Sequence, residues 1–188
     1  EPAAVAALAG LDVPLRAGFD GCGAPTFVLP LTALARAFGR LASSRAANPA
    51  GLAAVRRDAC RTILDAAGEA PLLLAGERRL CTALVRTWPG RCFAKNGAEG
   101  VYAVGLAPDP ARRRFPGALG LAVKVEDGAE RGYQPVVVDL LRWLGAFADD
   151  AVPPPLARFH SVPIRNTLEA EVGEVRCALD WAAAGGGA

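Results

Sequence analysis

The sequence predicts an α+β domain of mixed, layered type, with helices packed on a largely antiparallel sheet. Three observations carry that expectation. Apolar residues recur at three- and four-residue spacing through most of the first 90 positions, the pattern of amphipathic helices. Three short apolar runs separated by turn residues then follow one another between Arg91 and Val125, the pattern of neighbouring antiparallel strands. A further helical stretch closes the order helices, strands, helix, strand, which builds a layered domain. At 188 residues and 52% hydrophobic content the chain, 1–188, suits one domain or part of one.

Residues Glu1 to Leu11 read as a short Ala-rich helix, cut by Pro14 soon after Gly10. Ala17 to Phe27 reads as irregular: three glycines and a proline surround Asp20 and Cys22, a composition for tight turns and close backbone approach. After Pro30, Leu31, Leu34, Phe38 and Leu41 mark a helix ending near Ser43 and Ser44. A second helix is expected from about Pro49 to Ala67, with Leu52, Val55, Ala59, Ile63 and Ala66 as its apolar stripe. A third spans about Glu77 to Thr87 and stops before Pro89-Gly90.

Arg91 to Ala94 and Val101 to Leu106 read as the strands of a hairpin around Lys95-Asn96-Gly97-Ala98-Glu99-Gly100. Ala118 to Val125 adds a strand closed by Glu126-Asp127-Gly128. The next helix runs from about Tyr133 or Pro135 to Phe147, on Val136, Leu140, Leu141 and Leu144. Asp149 to Pro155 is a proline-rich connector, Val162 to Ile164 and Val172 to Leu179 are expected edge strands, and 182–188 a flexible tail.

Charge excludes some partners. A formal net charge of +2 supplies no strong field for nucleic acid or an anionic membrane. Of 21 basic residues only Lys95 and Lys124 are lysine, so the arginines reflect a compositional bias, and a position that needs a titratable amine stands out against it. Five cysteines, odd in number and without a C-x-x-C pair, indicate neither a disulfide framework nor a zinc ribbon. With no secretory start and no membrane-length apolar run, the expected location is cytoplasmic. The sequence contains no methionine, and the expectation is a piece of a longer chain or a trimmed one.

The chemistry concentrates in two loops. Lys95-Asn96-Gly97 is a K-x-G turn leaving a strand, the local design of the K-T-G element in penicillin-binding proteins and β-lactamases. There the lysine leans over the site, and the glycine lets substrate approach the strand edge. Asp20 and Cys22 stand one residue apart in a turn, and a carboxylate with a thiolate can ligate zinc when two further ligands arrive. The alternative has Asp20 capping its own turn or holding a substrate amino group, with Cys22 a small buried filler. Glu99 is taken as shaping the site, Glu126 and Asp127 as structural, and His160 as a surface or packing residue.

Asp20-Gly21-Cys22-Gly23-Ala24-Pro25, then Ala94 to Tyr102, then Lys124-Val125-Glu126-Asp127-Gly128 resemble successive signature segments of the bacterial L-asparaginase II family, of serine-β-lactamase-like fold. The resemblance runs from Leu8 to about Gly173. It implies that a serine activated by a lysine attacks the side-chain amide of asparagine, ammonia leaves, and water releases aspartate from the acyl-enzyme. It implies Lys95 as the catalytic residue, and Asp20, Gly97, Ala98 and Glu99 as substrate-binding. Zinc would be held by Asp20 and Cys22 with ligands outside this chain. A base role for Lys95 needs the neutral amine, which an ordinary lysine near pKa ~10.4 does not offer at neutral pH.

The departures matter as much. The family's S-x-x-K and C-S-G-K-H segments do not occur: Ser43, Ser44 and Ser161 are followed three positions on by Ala46, Ala47 and Ile164. The expectation is therefore a C-terminal half that supplies part of an active site, completed by an N-terminal half in cis or in trans and assembled as a homo-oligomer. A truncated, non-catalytic copy acting as a binding module is the competing expectation. A β-lactamase or peptidase rests on K-x-G alone.

Overall fold

Cys92 faces Leu106 across one pair of strands, and Leu106 faces Leu119 across the next. The three strands, β3 (Cys92–Asn96), β4 (Val101–Leu106) and β5 (Leu119–Lys124), form an antiparallel sheet in that order. The fold is that of a computed structural model, which describes residues 2–12, 14–47, 52–112 and 114–184. Before the sheet come α1 (Pro2–Ala9), the hairpin of β1 (Ala17–Phe19) and β2 (Pro25–Phe27), α2 (Leu31–Ser43), α3 (Ala54–Glu69), α4 (Pro71–Ala75) and α5 (Leu80–Thr87). After it come α6 (Glu130–Trp143), a 3₁₀ turn (Ala148–Asp150), α7 (Pro154–His160), the hairpin of β6 (Ser161–Arg165) and β7 (Glu171–Arg176), and α8 (Trp181–Ala184). The expected α+β class is what these elements form. None of the described helices is long and apolar enough to cross a membrane.

Successive residues of a strand point to opposite faces, so the register sorts the side chains into two rows. Cys92, Ala94, Tyr102, Val104, Leu106 and Leu121 are buried on one row, against Leu84 and Val85 of α5 and Val137, Val138 and Leu141 of α6. Phe93, Lys95, Ala103, Gly105, Gly120 and Ala122 make the other row, which α2 covers. Two glycines set how closely α2 approaches. A Cβ on Gly105 would collide with Phe38 O, and one on Gly120 with Ala35 O and Gly39 N, so the helix backbone rests directly on the strands. The Phe38 and Phe93 rings meet beside this contact at 5.7 Å.

Several local expectations need correction. Ala17 to Phe27 is a two-stranded hairpin rather than irregular loop, with Ala17 paired to Phe27. Pro71 to Ala75 adds a short helix to those expected. The helix at Glu130 starts earlier than expected and takes Pro135 into its interior. The C-terminal strands pair with each other as a separate hairpin and are not edges of the main sheet.

The stripe expected on α3 is on the wrong face. Cys60, Leu64 and Ala67 are the buried positions, while Ile63 is 41% exposed. Periodicity could not choose between two Ala-rich stripes one residue apart. Arginine decides: Arg57 Nη2 donates to Ala46 O at 2.6 Å and Arg61 Nε to Ser44 O at 2.9 Å, turning Leu64 inward beside Leu41. The expected start of this helix at Pro49 lies outside the described residues, as do positions 185–188 of the expected tail.

Asp139 of α6 ties the C-terminal elements to the core. Its Oδ1 accepts from Arg142 Nε at 3.0 Å and Nη2 at 2.8 Å, with His160 Nε2 at 3.2 Å, and its Oδ2 accepts from Trp181 Nε1 at 2.7 Å. Burial pushes this carboxyl up, but the Trp181, Arg142 and His160 hydrogen bonds outweigh it and hold the group at about 2. A depressed folded value adds stability above the unfolded range near pH 4, and that stability is lost as pH falls through about 2. Asp139→Asn is expected to cost about 1–3 kcal/mol and to flatten the acid limb of stability. Denaturant unfolding followed by tryptophan fluorescence from pH 7 to 2 measures both; an unchanged acid limb would remove Asp139 as the anchor.

Candidate functional site

The Lys95 turn closes β3 onto β4. Gly97 N donates to Val101 O at 2.8 Å and Val101 N to Ala98 O at 3.3 Å, while Val125 N reaches Gly100 O at 3.0 Å. That last bond brings together two residues 25 positions apart in the chain. Gly100, at φ 68°, lies so close to the second turn that a Cβ there would stand 2.9 Å from Val125 Cβ and 3.0 Å from Gly128 C. Glu99 also takes positive φ, at 54°, a conformation that costs a non-glycine residue energy. Its exposed carboxylate lies over Gly128.

Lys95 is half-buried on β3, in register with Ala103. Its Nζ donates to Asn96 Oδ1 at 3.1 Å and to Asn96 O at 3.2 Å. Among the described residues it makes no ion pair. Lys124, the other lysine, is exposed at the end of β5 and donates to Val125 O, the backbone of its own turn. By alternation both lysines belong to the row that faces α2.

A buried polar group lies behind the turn, with no signal for it in the order of the residues. Cys81 Sγ of α5 is 3.6 Å from Asn96 Oδ1. Tyr102, opposite Asn96 in register, sets its ring 4.7 Å from that of Tyr133, tilted by 31°. Tyr133 donates to Glu130 Oε1 at 2.6 Å, and Arg79 Nη1 grips both Glu130 oxygens at 2.6 and 2.7 Å. The hydrogen bond from Tyr133 holds the Glu130 carboxyl below its ordinary value, with Arg79 adding to it against burial. Burial pushes the Tyr102 phenol and the Cys92 thiol up. No spacing rule links positions 81, 96, 102 and 133; only the pairing of β3 with β4 over α5 does.

The Asp20 loop is a different structure. Asp20 Oδ1 accepts from Cys22 N and Ala24 N, both at 2.9 Å, so the carboxylate caps its own turn. Cys22 is exposed, which corrects its expected role as a buried filler. Among the described residues, no hydrogen bond or ion pair joins this hairpin to the Lys95 turn, and no three His, Cys, Asp or Glu side chains are placed to hold a metal. Phe19, beside Asp20, is 81% exposed.

Glu126 is exposed, and Asp127 Oδ1 accepts from Ala129 N at 2.8 Å ahead of α6, which fits the structural role expected of it. His160 belongs to the Asp139 anchor. An open groove of about 730 Å³ runs between α2 and the start of β5, past Arg36, Arg40 and Gly120; none of the expected site residues lines it.

The arrangement defines an α+β domain that presents a lysine at a strand-end glycine turn, braced by a second glycine turn. Residues 2–177 match the family model described as L-asparaginase II, and the chain belongs to that family. No curated protein matches the chain.

The two turns generate an opposed pair of expectations. Gly100→Ala, forced into Val125 at positive φ, is expected to cost about 1–3 kcal/mol. Glu99→Gly relieves the left-handed backbone and is expected to leave stability unchanged or slightly raised. Equal losses in denaturant unfolding would show that the turns do not bear on each other as described.

Proposed function

We propose that the chain supplies part of an L-asparaginase site, releasing ammonia and aspartate from asparagine through a serine acyl-enzyme. Family membership suggests the asparagine amidohydrolase activity. The observation that carries the finer reading is the Lys95 turn: a lysine on an edge strand, held at a glycine turn that leaves room for substrate. In this reading a serine Oγ attacks the side-chain amide carbon and gives its proton to Lys95. The proton passes to the departing nitrogen, which leaves as ammonia. Water then cleaves the acyl-enzyme ester, releasing aspartate and restoring the serine.

The serine comes from outside these residues, because no S-x-x-K occurs among them. β3 is a terminal strand of its sheet, so its outer side at Lys95 is the natural place for that nucleophile to approach. Gly97, Ala98 and Glu99 border the same space and would contact substrate. Asp20 and Cys22 sit on an exposed arm, and Phe19 and Val28, at 81% and 64% exposure, offer apolar surface that the remainder of the enzyme, or a further copy in a homo-oligomer, would cover. A zinc ion at Asp20 and Cys22 requires ligands beyond the described residues; Asp20 Oδ1 already accepts two backbone hydrogen bonds.

The isolated chain is expected to release no ammonia from asparagine above the level of its Lys95→Ala variant. Turnover well above that control would overturn the split site. In the enzyme completed with its serine, Lys95→Arg is expected to lower kcat by about 10²- to 10⁴-fold, since guanidinium keeps the charge but cannot take up a proton. Retention of more than about a tenth of the rate would assign Lys95 an electrostatic part instead. A completed enzyme without asparaginase activity would favour the binding-module reading.

A further inference from the structure

Of the candidate site side chains, Lys95 alone has its polar atom tied to another side chain among the described residues, and the tie runs through Asn96. Neighbouring residues on a strand point to opposite faces, so Lys95 belongs to the row facing α2 and Asn96 to the row facing α5. The lysine nevertheless folds back to its neighbour, placing Nζ 3.1 Å from Oδ1 and 3.2 Å from the backbone oxygen. An ammonium only donates, so the amide must present its oxygen here and not its nitrogen.

The same oxygen is held from the other side. Cys81 Sγ lies 3.6 Å from it, and a thiol is a weak donor. Cys81 is 1% exposed, in a helix whose residues Leu80 to Val85 are all buried, so it has no freedom to follow a moving side chain. Tyr102, whose hydroxyl is buried without a hydrogen-bond partner, stands opposite Asn96 in register, on the same face of the sheet. Asn96 is thus gripped by the core at the atom with which it grips Lys95.

We propose that Asn96 is a positioning residue: its side-chain oxygen, pinned by the Cys81 thiol, fixes Lys95 Nζ at the edge of β3 with two N–H groups engaged by Asn96, so that the neutral amine of the proposed reaction turns its lone pair to the reacting molecule. The proposal rests on the reading of Lys95 as the working lysine of the site. It assigns a part in that site to α5, which no signature segment contains.

Competitive acetylation tests it on the chain itself, because the only two amine side chains are Lys95 and Lys124 and the second is an internal standard. Trace labelling with acetic anhydride, read by mass spectrometry, gives the Lys95:Lys124 ratio. Asn96→Ala is expected to raise that ratio about 2- to 10-fold, the factor that one intramolecular hydrogen bond is worth. Asn96→Asp keeps the oxygen, adds a charge, and is expected to lower it. Cys81→Ala should raise it by a smaller factor, with Asn96 still present but unpinned. A general disturbance of the fold would move the Ala and Asp variants in the same direction, and that outcome, or no change in either, overturns the proposal. A labelling response combined with an active Lys95→Arg enzyme would count against the catalytic reading of Lys95 and not against the grip of Asn96.

Discussion

α2 can lie backbone to backbone on the sheet only because positions 105 and 120 carry no side chain. A single methyl group at either would meet a helix carbonyl oxygen, and the helix would have to lift off β4 and β5. That one constraint has two effects. It buries Ala103 and Gly105 without any large side chain, and it leaves the partly buried Lys95 beside the Phe38–Phe93 contact. The central strand β4 is therefore buried on both faces although the sheet has only three strands, which an open hairpin meander could not manage alone.

The site depends on the same economy of side chains. Gly100 O receives Val125 N, and the absence of a Cβ at Gly100 lets the turn after β5 press against the turn after β3. Two loops that would be mobile singly brace each other, and Glu99 is held in a left-handed conformation that its neighbours over-determine. Behind them, Arg79, Glu130 and Tyr133 fix the start of α6 against α5. The lysine thus stands at a braced corner of the sheet, which positions a reacting group better than a free loop does. The Asp20 hairpin stands apart from this corner, and its carboxylate is occupied with its own turn.

Much of this was legible in residue order. The α2 helix, the strand–turn–strand around Lys95 and the strand leading to Gly128 follow from period and punctuation, because each is decided within about ten residues. The three motifs that point to the family are likewise contiguous stretches, and the family match over 2–177 agrees with them. The failures share one cause. The face of α3, the pairing of β6 with β7, and the reach of α6 back to Glu130 depend on partners distant in sequence. Ala-rich helices such as α3 offer several apolar stripes of nearly equal merit, and arginine bonds to remote carbonyls break the tie.

By itself the sequence determined the class of fold, the family, and which few side chains have chemistry to offer, since composition, period and short motifs are local properties. Tertiary structure alone decided which of them act together. Asn96 became a partner of Lys95 only when β3 paired with β4 and laid Cys81 of α5 against the amide. Asp20 stayed outside that group because its hairpin makes its bonds at home. A strand's register and a helix's rotation are chosen by the sum of contacts across the core, and that sum is not written in any one segment.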